Sequence, residues 1–164
     1  MTVDAFWEWS LARYGDPATR EHLLSLQDAL DLVVLEALFA LWLGSEHYEW
    51  QADMVDRMAG ASQDWLKAVV VPLRATRMQW RSAPSLQTAR KHLLSLEVQA
   101  ERHLAELMWE AAMVTDHGGT ELLYQPARAI GELMHVNLAC IEPFRDGKYV
   151  SEREQMVVLV EQAT

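Results

Sequence analysis

LVVLEALFALWL, from Leu32 to Leu43, carries a single charge, Glu36, in twelve residues, and is opened by Asp31 and closed by Gly44. A bilayer crossing takes about 20 apolar residues, so this run is too short to span one. It reads instead as a buried central helix, at about residues 31–43, around which the other elements wrap. The chain has 164 residues. That length suits one domain over 1–164, able to bury a core without disulfides or a structural metal.

The flanking punctuation favours helices almost exclusively. Asp16-Pro17 supplies a side-chain acceptor followed by a residue with preset φ, which starts a helix running to about Ala29, and Gly15 stops the one before it. Asp31, Ser45, Ser62 and Ser85 each precede an apolar-periodic run, while Gly44 and Gly60 stand where a helix end favours a left-handed residue. Ser151 and Glu154 have capping-box spacing and predict a last helix to about Gln162. A helix over about Gln63 to Ser82 should be kinked at Pro72.

The longest helix is expected from about Leu86 to Thr115. There Leu86, Leu93, Ala100, Leu107 and Val114 recur every seven residues, beside Ala89, Leu96, Leu104 and Ala111. A further helix, beginning near Pro126, places Ile130, Leu133, Met134, Leu138 and Ile141 on one side. No alternating strand pattern competes, and the fold class is an all-α bundle of seven or eight helices.

Charge is segregated along the chain. Residues 1–65 hold 3 basic and 12 acidic side chains, residues 66–104 hold 7 and 2, and residues 105–164 hold 4 and 10, within a net charge of −10. Lys67, Arg74 and Arg81 are spaced by seven, with Arg77 flanking them and Arg90 and Lys91 following. Such a stripe suits a carboxylate- or phosphate-bearing ligand or an acidic protein segment. The plainer alternative is that it faces this chain's own acidic N-terminal helices. Nucleic acid is a poor partner for so acidic a chain, and no helix combines a basic polar face with the large apolar moment that a membrane surface requires. The lone Cys140 and the acidic Asp4 near the N-terminus point to a cytoplasmic protein.

Phe6, Trp7, Trp9 and Tyr14 crowd the first helix, and the chain holds 7 tryptophans. Trp7, Leu11 and Tyr14 share one side, with Phe6 and Trp9 elsewhere. Core packing accounts for these aromatics, and for Trp42, Trp50, Trp65 and Trp109, more readily than a partner interface does.

Catalytic motifs are absent: there is no P-loop, dinucleotide fingerprint, nucleophile elbow or zinc-protease motif, and the pair Gly118-Gly119 reads as a helix end. Glu132 and His135 have the spacing of half a di-iron site, but the second half is missing, and with Arg128 they lie opposite Ile130, Met134 and Ile141, as a solvated ion cluster would. No metal, cofactor or catalytic residue is expected. Three polar residues fall on or near apolar faces: Glu36, His103 and Asn137. Each must find hydrogen-bond partners if buried, and together they are the only candidates for a buried polar site.

Phe6-Trp7 with Ser10-Leu11 and Tyr14, then Leu26-Gln27, Leu41-Trp42-Leu43-Gly44, Pro72-Leu73-Arg74 with Arg77, Ala100-Glu101-Arg102 and Asn137-Leu138 carry a resemblance. Over about residues 6–140 the chain resembles a conserved hypothetical family of short proteobacterial proteins, a domain of unknown function. The resemblance implies a bacterial, soluble, wholly helical protein, and it brings no activity, cofactor or catalytic residue. Residues 142–164 extend past it.

Two functions are therefore expected. One is a non-enzymatic interaction module, an adaptor or regulator, using Lys67, Arg74, Arg77 and Arg81 on an acidic partner segment. The alternative is a helical enzyme or small-ligand binder with a cavity near Glu36, His103 and Asn137.

Overall fold

The computed structural model describes residues 1–113 and 122–163, and nearly all of them that lie in regular structure are helical. They gather into two compact units, 1–55 with 122–163, and 56–113. The expected end of the long helix at 114–115 and the Gly118-Gly119 pair lie outside the described residues.

The first unit contains α1 (Val3–Gly15), α2 (Pro17–Leu30) and α3 (Val34–Ser45), and closes with the later α7 (Ile130–Leu138) and α8 (Val150–Gln162). As the apolar run requires, α3 is the buried centre, with every residue from Glu36 through Gly44 buried. It packs most extensively on α7 and also meets α1 and α2. Phe6 enters this core from α1, with its ring 4.8 Å from Phe39 and 5.5 Å from Trp42, and Phe39 also meets Trp50 at 5.9 Å. The inward face of α1 is thus Phe6 with Ser10, while Leu11 is exposed and Trp7 and Trp9 are half-buried.

Asp16 caps α2 as expected, its carboxylate accepting the Thr19 N–H at 2.8 Å. The other caps differ from expectation. Asp31 adopts a left-handed conformation (φ 56°, ψ 28°) that ends α2, and Val33 opens α3 without a side-chain bond. Ser45 is the last residue of α3 and donates to the Trp42 carbonyl. Ser151 lies inside α8, which opens at the left-handed Tyr149, so the capping box does not form although the helix ends at Gln162 as predicted. α7 begins at Ile130 rather than near Pro126. A two-residue antiparallel ladder, β1 (Tyr48–Glu49) with β2 (Leu123–Tyr124), is also present; strands this short leave no alternation to read.

Gly44 is helical and serves a purpose other than capping. A Cβ there would fall 2.7 Å from the backbone nitrogen of Met134, so glycine lets α3 and α7 approach at backbone distance.

The second unit is a helical hairpin. α4 (Ala52–Trp65) runs through a π-helical turn at Leu66–Val70 directly into α5 (Val71–Gln79), and short 3₁₀ turns at Trp80–Ser82 and Pro84–Leu86 lead to α6 (Gln87–Met113). The eight α-helices are therefore seven continuous rods among the described residues, within the expected number. Gly60 and Ser62 lie inside α4 rather than at helix ends; the Ser62 hydroxyl donates back to the Met58 carbonyl at 2.8 Å. Ser85 likewise sits within a 3₁₀ turn. The disturbance expected at Pro72 takes the form of the π turn just before it, where the Val71 N–H reaches back to the Leu66 carbonyl.

Candidate functional site

The basic stripe is divided by its own geometry. Lys67 lies in the π turn, whose wider winding rotates it out of the seven-residue register with Arg74 and Arg81. Arg74 and Arg77 turn toward α6. Arg74 Nε donates to Glu97 at 3.0 Å and its Nη2 to Glu101 at 2.7 Å, while Arg77 grips Glu97 through Nε and, at 3.2 Å, Nη2. The acids that receive these arginines therefore come from α6. Glu97 is 3 % exposed. Burial pushes its carboxyl up, but the hydrogen bonds from Arg77 and Arg74 outweigh that and hold it below the ordinary carboxylate range. Burial raises Glu101, against the pull of Arg74.

Lys67, Arg81 and Lys91 are exposed and have no carboxylate partner among the described residues. Arg90 is half-buried and donates its Nε to the Arg77 carbonyl at 3.2 Å. The same hairpin carries an apolar groove of about 500 Å³, walled by Trp65, Val69 and Leu73 on one rod and by Leu96, Ala100 and His103 on α6. Leu96, placed inward by its heptad neighbours, is 50 % exposed.

The three polar candidates have separate fates. His103 is exposed, with Nδ1 3.2 Å from Glu106 Oε2 and its ring edge-on to Trp65 at 4.7 Å. Asn137 is fully buried and wholly engaged. Its Nδ2 donates to the carbonyls of Ala40 at 3.1 Å and Tyr48 at 2.9 Å, its Oδ1 accepts the Trp50 N–H at 3.1 Å, and its own carbonyl accepts the Trp50 indole at 2.8 Å. Glu36, in the first turn of α3, is pushed up to about 7 by burial, against the pull of Arg145. A cleft on the first unit is lined by neither Glu36 nor Asn137.

Arg128 bridges Glu132 (Nη2 to Oε1 2.6 Å) and Glu49. Burial holds the His135 imidazole below its ordinary value, Arg153 adding to the effect. No group of three or more His, Cys, Asp or Glu arranged to hold a metal occurs among the described residues, and no helix there is long and apolar enough to cross a membrane.

Sequence reasoning missed Glu97 as the anchor of the stripe and Arg13, four residues after Trp9 on α1. The i, i+4 spacing of Trp9 and Arg13 was the signal available for the second. For Glu97 the sequence offered only a charge within a helix. No curated protein and no solved structure matches the chain. Residues 5–108, more than half its length, match the model of a family described as a protein of unknown function (DUF2390), and the chain belongs to that family.

Proposed function

We propose that the chain is a non-enzymatic helical interaction module that receives an acidic, apolar-anchored protein segment on the 56–113 hairpin. The supporting observation is the groove of Trp65, Leu73 and Leu96 on the same hairpin as Lys67, Arg81 and Lys91, three exposed cations without carboxylate partners among the described residues. An amphipathic helix seats its apolar face in such a groove, and opposite charge on its flanks sets register and association rate. Arg74 and Arg77 then have a supporting role: through Glu97 they hold α5 against α6 and so fix the groove walls.

The probe is a fluorescein-labelled amphipathic peptide with leucines at helical spacing and glutamates between them, followed by anisotropy at low salt. The wild type binds it, and Leu96→Asp and the pair Arg81→Glu with Lys91→Glu each weaken binding at least tenfold. Equal binding by all three proteins overturns the proposal.

A further inference from the structure

The first unit carries a different kind of site. Beyond the close approach at Gly44 a cleft of about 410 Å³ opens, with Met134 and Val160 on its apolar wall beside Trp9 and Arg13. That volume lies within the roughly 300–1,000 Å³ of small-molecule sites. The Arg13 guanidinium carbon stands 5.0 Å from the Trp9 ring centre. Its Nε is buried and has no hydrogen-bond partner among the described residues. A guanidinium only donates, and a buried donor left unpaired costs about 1–3 kcal/mol. Arg13 lines the cleft, and a carboxylate entering it would match the guanidinium fork.

The rest of the rim has the opposite character. Glu46 and Glu161 are exposed at the cleft, and Ser45, whose proton goes to the Trp42 carbonyl at 2.7 Å, lines it with an oxygen that can only accept. Glu161 reaches across α7 at Gly131, where its Oε1 lies 2.8 Å from the place a Cβ would occupy. One donor fork and a set of acceptors thus flank an apolar wall. A simple anion would be repelled by the two carboxylates, and a simple cation by Arg13. A molecule carrying both charges around an apolar body complements the cleft's mixed rim and its apolar wall.

We propose that this cleft binds a short apolar peptide in its zwitterionic form, with the carboxylate on Arg13, the ammonium on Glu46 and Glu161, and the side chains against Met134, Val160 and Trp9. The site shares no residue with the groove of the 56–113 hairpin and stands independently of it. Isothermal titration of the full chain tests it with three probes: leucyl-leucine, its N-acetyl form and its C-terminal amide. Free leucyl-leucine binds, and acetylation and amidation each weaken binding at least tenfold. Arg13→Gln removes the difference between acid and amide, Arg13→Lys retains part of it, and Glu161→Gln reduces the difference between free and acetylated peptide. Circular dichroism verifies that each variant melts as the wild type does; if Arg13→Gln fails to fold, Glu161→Gln, at an exposed position, decides between the outcomes. Absence of heat at millimolar leucyl-leucine, equal affinity for the three probes, or unchanged discrimination in the variants overturns the proposal.

Discussion

At the residue scale, Asn137 and Gly44 together fix how α7 meets α3. Asn137 satisfies two carbonyls and one N–H that would otherwise be buried without partners, each worth about 1–3 kcal/mol when orphaned. Asn137→Ala should therefore lower stability by about 3 kcal/mol or more, read as a drop in the urea midpoint. Asn137→Asp should cost more at neutral pH, because it keeps the acceptor for Trp50, loses both donors and buries a charge. A loss below about 1 kcal/mol for the alanine variant would show that the network contributes little. Gly44→Ala should cost about 3 kcal/mol, the upper part of the overpacking range, since the clash is with the Met134 backbone. For the same reason the further change Met134→Ala should not restore the melting temperature, whereas it would if the side chain alone were in the way.

At the element scale, the cross-link between α5 and α6 turns on one carboxylate. Glu97 receives both Arg74 and Arg77, whose side chains are 28 % and 19 % exposed. Glu97→Gln leaves two half-buried cations short of their counter-ion and should cost roughly 2 kcal/mol, less than a fully buried pair because water still reaches both guanidiniums. Glu101, with its side chain 30 % exposed, meets Arg74 alone, so Glu101→Gln should cost under about 1 kcal/mol; denaturant melts that rank the two the other way would contradict this division. These elements also show what was legible. Helix over strand was plain from twelve nearly uncharged residues, and Asp16-Pro17 marked its helix start because the acceptor and the fixed φ act locally. Ser62 was misread as a start because its hydroxyl bonds a carbonyl four residues back as readily as it caps. Lys67 and Arg74 were placed in register because a π turn leaves no mark in a seven-residue spacing. Gly44 and Glu97 depend on partners about ninety and twenty residues away, which no local pattern contains.

At the scale of the whole molecule, protonation decides where on the pH axis the chain is most stable. Glu36 has an ordinary value of 4.5 and is raised to about 7 in the fold, so between those values the folded state holds a proton that the unfolded chain has released. Its contribution is complete below the ordinary value and is lost as pH rises through about 7; at about 1.4 kcal/mol per unit the change is roughly 3 kcal/mol. Glu101, also raised, acts in the same direction, and protonation relieves the self-repulsion of a chain with net charge −10. Two groups oppose them. Glu97, held low by its arginines, contributes above the ordinary carboxylate range and loses that contribution as pH falls through its lowered value. The His135 imidazole, held below 6.5 mainly by burial, takes up a proton less readily in the fold, which costs stability as pH falls below 6.5. The wild type should consequently have a higher urea midpoint at about pH 5.5 than at about pH 8. In Glu36→Gln the Glu97, Glu101 and His135 effects persist while the Glu36 contribution vanishes, so the fall in stability over that interval, which covers only the part of the change above pH 5.5, should shrink by roughly 2 kcal/mol. If the two proteins lose stability in parallel across the interval, Glu36 is not the group that titrates, and its carboxyl is ionised within the core at neutral pH.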